Sequence, residues 1–297
     1  MKNKLQKNSI NKIPIHWVLP ALFILIAIFI LPVLDVFKTS FTNQKIGISE
    51  YSYTLNSYKE IFTSASFWSS LGRTLVFVFF SVAFQVILGL AIAISVDEGE
   101  KLKIRGTVFV RTVSLISMVI PGVIIGIIWK IMYQESANGI LNYFLSFFNV
   151  STVKFLSDTS LTMASAVVAN VWRGTASSMI LLYAAIKTIP NDIIEASKVD
   201  GANVFQRFFT IKLPTIANML LIVIILNVIG TFNTFDMIMT LTGGGPGRTT
   251  EVLALSVYRE VFLNLNIAKG SGVAIILLGI NMVMAVIYFR MQKKVEV

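Results

Sequence analysis

Thr188-Ile-Pro-Asn-Asp-Ile-Ile-Glu-Ala-Ser-Lys-Val-Asp-Gly-Ala-Asn-Val-Phe-Gln-Arg-Phe-Phe-Thr-Ile-Lys-Leu-Pro214 is the stretch on which the reading of this chain turns. It is polar and charged, and an apolar run long enough to lie in lipid flanks it on each side. A segment of this kind must lie in water. Its punctuation predicts two short helices joined by a hinge. Pro190 suits a first helical turn, Asp192 and Glu195 put negative charge near the positive helix end, and Gly201 can adopt the left-handed conformation that stops the helix. Asn203 is placed to cap a second helix, whose Val204, Phe205, Phe208 and Phe209 fall on one apolar stripe. Ala196, Ser197 and Gly201 are small and leave a surface that another backbone can approach. On these grounds alone, a loop lying on the membrane surface and a docking handle for another protein both remain open.

Over half of the 297 residues are apolar and 13% are charged, about half the charge expected of a soluble domain. The chain is therefore read as an all-α integral membrane protein. It has no cysteine and one histidine, His16, beside the first apolar run. Disulfides, thiolate chemistry and a metal centre are not expected, nor is a bound cofactor. The net charge of +10 is scattered between apolar runs instead of forming a basic face with interleaved aromatics, so nucleic acid is not the expected partner.

Six spans are expected. They are 17–37 (too long for a cleaved signal core), 73–96, 107–132 with a kink at Pro121, 161–186, 213–241 and 270–289. Residues 1–16 and 290–297 become tails, 38–72 and 133–160 outer segments, 97–105 a short connector, and 188–212 the longest soluble piece on its side. In 38–72 the rings of Tyr51, Tyr53, Tyr58, Phe67 and Trp68 favour the headgroup level. Ser81, Gln85 and Gly89 recur every four residues and predict a protein-facing side for the second span, while Gly122 and Gly126 form a small-xxx-small contact face. Basic residues set the orientation. One side carries Lys2, Lys4, Lys7, Lys12, Lys101, Lys103, Arg105, Lys187, Lys198, Arg207, Lys212, Arg290, Lys293 and Lys294; the longer loops opposite hold only Lys38, Lys45, Lys59, Arg73, Lys154, Arg248, Arg259 and Lys269. The denser side, with both termini and 188–212, is expected to be cytoplasmic.

Polar groups within the spans mark a second feature. Asn170, Arg173, Gly174 and Ser177 share one face of the fourth span, and a charge near mid-span costs at least about 3 kcal/mol, so Arg173 should face protein or a wet cavity. Asp236 is its candidate counterion. Asn227, Gly230, Thr231 and Thr234 share a face of the fifth span, with Asn233 and Asp236 turned partly aside. Uncharged donors and acceptors beside small residues suit a hydroxyl-rich solute, and Trp172 offers a ring to stack on a sugar; hydrogen-bonded helix packing accounts for the same residues.

The stretch 188–214 resembles the EAA loop of ABC-importer permeases: Glu195 and Ala196, then Gly201, then Ile211, Leu213 and Pro214 stand at the family's spacing, with Ser197 in place of the second alanine. The run Thr242-Gly-Gly-Gly-Pro246 after Phe235 and Asp236, followed by Tyr258 and Phe262, is similar to the carbohydrate-uptake branch. It is not a phosphate-binding loop, because no lysine stands six residues beyond its first glycine. The resemblance implies the type I importer architecture in a bacterial plasma membrane. It also implies a cytoplasmic ABC ATPase dimer docked on Glu195, Ala196, Ser197, Asp200, Gly201, Phe205, Phe208, Ile211 and Pro214, a second permease subunit, an external solute-binding protein and a sugar substrate. Asn170, Trp172, Arg173, Ser177, Asn227, Thr231, Asn233 and Asp236 would then line the solute pathway, and the chain itself would hydrolyse nothing. The rival is a secondary transporter driven by an ion gradient. Against it stand the absence of an evident internal repeat and the single acidic residue, Asp236, well inside an expected span.

Overall fold

The computed structural model describes residues 15–48, 50–136 and 139–295. The basic residues of the expected N-terminal tail and the side chains of His16, Lys293 and Lys294 lie outside that description. Among the described residues the only β pairing is a single antiparallel bridge between Thr42 and Tyr53; the rest of the regular structure is helical. Two compact units share the chain, one formed by the residues up to Thr63 with Arg259–Ile275, the other by Ser64–Tyr258 with the residues from Ile276.

In the first unit, α1 (Ile15–Leu25) and α2 (Leu31–Ser40) run together through a π turn, Ile26–Ile30. The apolar stretch Val18–Ser40 leaves Phe23, Ile28 and Phe29 without protein cover, as a helix surrounded by lipid does. Residues 38–72 are not wholly irregular. A helix α3 (Asn56–Thr63) folds back on the end of α2, where Tyr58 donates its hydroxyl to Ser40 at 2.8 Å. Gln44 and Ile46 bond to the backbone of Ala268 and Leu265, and Lys269 pairs with Glu260 at 3.1 Å.

The second unit is built on α4 (Ala65–Lys101) and α8 (Thr162–Lys187). They pack closely because glycine stands at the crossings. A Cβ on Gly89 would lie 2.5 Å from that of Ser178, and one on Gly174 would overlap the Gln85 carboxamide. The α4 helix begins at Ala65, not Arg73, and ends at Lys101, so the acidic residues assigned to a connector ride on its last turn. At 26 residues α8 is long enough to span but falls outside the helices apolar enough to do so by composition alone; its core position lets Asn170, Ser177 and many small residues replace lipid-facing ones.

The expected kink at Pro121 is a full break. Proline disfavours helix at the preceding residue, Ile120 is extended (ψ 126°), and α5 (Thr107–Val119) and α6 (Gly122–Met132) lie at 107°. The α6 helix lays Gly122 and Gly126 against α12 (Asp236–Leu241), so closely that neither position has room for a methyl. Between α6 and α8 the connecting segment contains a short helix, α7 (Ile140–Ser146).

Two boundaries differ from expectation in the fifth span. The hinge is present: α9 (Asn191–Val199) ends before Gly201 at φ +80°, and Asn203 forms a reciprocal capping box with Gln206. The second helix, however, is not separate. α10 (Val204–Arg207) continues through a π turn, Phe208–Lys212, into α11 (Leu213–Phe232). At the far end, Asn233–Phe235 interrupts the helix before α12. The glycine-rich turn then packs on α4: Thr242 and Thr250 share a 2.7 Å hydrogen bond, and buried Glu251 accepts from Arg248 Nε at 2.6 Å and Ser70 at 3.4 Å. The chain closes with α13 (Leu253–Tyr258) and α14 (Ile267–Val295).

A candidate solute cavity and coupling surface

Four helices of the second unit line an open cavity of about 280 Å³. From α8 come Asn170, Arg173, Gly174 and Ser177; from α11, Asn227, Gly230, Thr231 and, just beyond its end, Thr234; α4 supplies Gln85 and α5 Met118, with Leu181 and Leu226 as apolar wall. The polar side chains hold one another in place. Asn170 Nδ2 reaches Thr231 Oγ1 at 3.4 Å, and Asn227 donates to Ser178 at 2.6 Å while accepting from Ser177 at 3.4 Å. Gln85 donates Nε2 to the Asn170 carbonyl at 2.9 Å, but its Oε1 has no partner although the residue is only 2% exposed. An acceptor buried without a donor costs about 1–3 kcal/mol. Such a group, closed off from solvent against Gly174, becomes a hydrogen-bonding position for a solute once the Gln85 amide turns toward the cavity that the residue lines.

Of the residues expected on the pathway, Asn170, Arg173, Ser177, Asn227 and Thr231 come together here. Asp236 is not among the lining residues; it reaches the site only through its ion pair with Arg173 at 3.5 Å, with both side chains little more than a third exposed. Its position at the first turn of α12 also suits a negative charge. Trp172 does not line the cavity. One residue from Arg173 it is turned by about 100° around the helix, and its ring stands 6.3 Å from that of Trp129. Asn233 is also elsewhere, in a reciprocal amide pair with Asn281 on α14 at 3.0 and 3.2 Å. Gln85 is not among the expected pathway residues; its four-residue recurrence with Ser81 and Gly89 marks the protein-facing side of α4, but not which neighbour it meets.

The second feature is the surface of 188–214. Ile189 and Ile194 are buried in the core shared with α4, α8 and α11, and Ser197 is nearly so, bonding to the Ile194 carbonyl at 2.7 Å. This anchors α9 by one face. The opposite face exposes Glu195, Ala196, Asp200 and Gly201, with Val199 at 88% and, on α10, Phe205 at 76%. Phe208 and Ile211 are half-buried, and Pro214 is exposed at the start of α11. Val199, Val204, Phe205 and Phe209 thus form an uncovered apolar patch within a charged segment, as docking surfaces do.

Beneath that surface the ends of four elements meet at buried charges. Asp97 on α4, 1% exposed, binds Lys187 at the end of α8 at 2.9 Å, Lys101 at 2.8 Å and Lys212 at 3.4 Å. Lys212 also holds Glu98 at 2.5 Å, while Lys187 reaches Glu100 at 2.9 Å. Glu100 in turn accepts from Tyr183 at 2.7 Å and pairs with Arg111 of α5 at 3.4 Å. In the connection between α6 and α8, burial pushes the Glu135 carboxyl up, but donation from the Ser157 hydroxyl and from the Leu156 and Ser157 amides outweighs it and holds the group below the ordinary glutamate range.

Among the described residues no cluster of three or more histidine, cysteine or carboxylate side chains is arranged to hold a metal. Residues 85–297 match the family described as binding-protein-dependent transport system inner membrane component. Similar proteins include the trehalose/maltose transport system permease protein MalF of Thermococcus litoralis, 33% identical over 92% of this chain and 91% of that one. The osmoprotective compounds uptake permease protein GgtC of Synechocystis is 33% identical over 88% and 92%, and the sn-glycerol-3-phosphate transport system permease protein UgpA of Agrobacterium fabrum 27% over 96% of each. The fold is similar to a chain of a bacterial ABC transporter involved in import of the acidic polysaccharide alginate, with TM-score 0.78, 18% identity and 95% of each chain covered.

Proposed function

The chain belongs to the binding-protein-dependent transport system inner membrane components, and from that premise we propose that it forms half of the pathway of an ATP-driven importer for a neutral, hydroxyl-rich solute of the carbohydrate class. It is a non-catalytic permease subunit. A second permease chain completes the pathway, two ATPase subunits dock on 188–212 from the cytoplasm, and an external binding protein delivers the solute. Six spans with both termini cytoplasmic fit this arrangement in a bacterial plasma membrane: α1 with α2, α4, the broken pair α5 and α6, α8, α11 and α14.

The observation that carries the substrate class is the charge balance of the cavity. Gln85, Asn170, Ser177, Asn227, Thr231 and Thr234 offer donors and acceptors without charge, and the cation among the lining residues, Arg173, has Asp236 for a partner. An anion would meet no unmatched positive charge. A sugar or polyol would meet hydrogen-bonding groups at several heights. Names among the relatives fall on both sides of the charge, with trehalose/maltose neutral and sn-glycerol 3-phosphate anionic, so they support a hydroxyl-rich solute while its neutrality rests on the cavity.

The test uses the complete transporter in liposomes with ATP inside, offered labelled trehalose, maltose or sn-glycerol 3-phosphate. Uptake of a neutral sugar and not of the phosphate ester supports the reading; preference for the ester refutes it. Accessibility labelling of Asp192→Cys, clean because the native chain has no cysteine, should succeed only from the cytoplasmic side.

A further inference from the structure

We propose that Asp97 is the positioning residue through which movement of the coupling segment reaches the solute cavity. The inference rests on the coupling role of 188–212 given above. Lys187 and Lys212 immediately precede and close that segment, and both side chains return to the same buried carboxylate, at 2.9 and 3.4 Å. The two feet of the handle, distant in sequence, are thereby tied to one point on α4. That helix is continuous from Asp97 to Gln85, 12 positions and about 18 Å along its axis, and Gln85 is the cavity residue with the unfilled acceptor. A displacement of either foot moves α4, and α4 carries Gln85, together with the α8 wall packed on it, relative to Met118 of α5 and Leu226 of α11 across the cavity.

Charge neutrality alone does not explain the arrangement. Lys187 has Glu100 at 2.9 Å and Lys212 has Glu98 at 2.5 Å, so each foot keeps a carboxylate without Asp97. What Asp97 adds is that the two share one. Its remaining partner, Lys101, is on its own helix. Glu98 and Glu100 stand on the same last turn of α4 but are partly exposed, and exposed ion pairs are weak links; Asp97→Asn therefore removes the one buried tie the two feet share while leaving each lysine a partly exposed partner of its own.

In the reconstituted transporter, Asp97→Asn should keep ATP hydrolysis within about twofold while solute carried per ATP falls at least about fivefold, the lower range of ordinary coupling between sites. Asp97→Glu should restore the ratio. Lys187→Gln and Lys212→Gln should each lower it, and together by less than the product of their separate effects, since both act through one carboxylate. An unchanged ratio in Asp97→Asn overturns the proposal, and so does a proportional loss of hydrolysis and uptake. Should that variant fail to accumulate, the lysine pair decides: independent, multiplicative effects refute the shared tie. Cross-linking of Asp192→Cys to the ATPase subunits is the control. No cross-link in the otherwise native protein sinks the coupling reading itself, whereas a cross-link with an unchanged ratio in Asp97→Asn sinks only the role of Asp97.

Discussion

Gln85→Leu separates a packing role from a solute-binding one, because the two predict opposite balances of stability and affinity. In the native protein Gln85 makes one hydrogen bond, to the Asn170 carbonyl, and leaves Oε1 buried and unpaired. Leucine of similar size forfeits the bond, about 1 kcal/mol, but removes the orphan acceptor, about 1–3 kcal/mol. The empty transporter should then be as stable as the native one, or more stable by up to about 2 kcal/mol. A bound solute hydroxyl, by contrast, would lose its acceptor, a neutral hydrogen bond of about 0.5–1.5 kcal/mol. At about 1.4 kcal/mol per factor of ten, that weakens affinity roughly two- to twelvefold. The assay pairs the thermal midpoint of the purified complex without solute with the KM for uptake. A lowered midpoint with an unchanged KM would refute the reasoning, leaving Gln85 as a strut between α4 and α8.

Three further outcomes are expected. Gly201→Asp should insert normally and hydrolyse ATP yet fail to transport, since no atom lies within 4 Å of a Cβ at this left-handed position and the strain within the chain is only about 1–2 kcal/mol; normal uptake in liposomes would count against the docking role. Gly122→Ala should displace the Asp236 carboxylate from Arg173 and destabilise the α6–α12 contact by about 1–3 kcal/mol, whereas Gly230→Ala, with nothing within 4 Å, should leave the thermal midpoint unchanged. Glu135, its carboxyl lowered by the Ser157 and Leu156 donors, contributes stability that is present above the ordinary glutamate range and lost as pH falls through the depressed native value. Protection of the Leu156 and Ser157 amides, taken relative to their intrinsic exchange rate at each pH, should therefore fall on acidification below about pH 4, and Glu135→Gln should remove that pH dependence.

Local punctuation is legible in the residues themselves. Pro190, Gly201 and Asn203 delimit α9 and start α10 because each acts on its own backbone, and helical periodicity alone aligns Asn227, Gly230, Thr231 and Thr234 on what proves to be a cavity wall. Expectation fails where a tertiary partner overrides composition. Lys212 reads as a solvated residue ending a loop, yet it is 4% exposed inside a continuous helix, because Asp97 and Glu98 neutralise it there. Trp172 reads as a sugar platform because its ring could stack on one; its neighbour Arg173 takes the cavity side, and adjacent helical positions do not share a face. Asn233 finds an amide partner on α14 that no local pattern foretells. The polar core of α8 lowers its hydropathy, so a helix at the centre of the unit gives a weak membrane signal.

At Gly89 against Ser178, and at Gly174 against Gln85, two rods touch without clearance for a single methyl group. A joint that tight has no play: α4 and α8 cannot slide past each other, and they travel as one lever. On the proposed importer reading, widening of the cavity would then come from its other two walls, with Met118 on α5 and Leu226 on α11 at the seams that part.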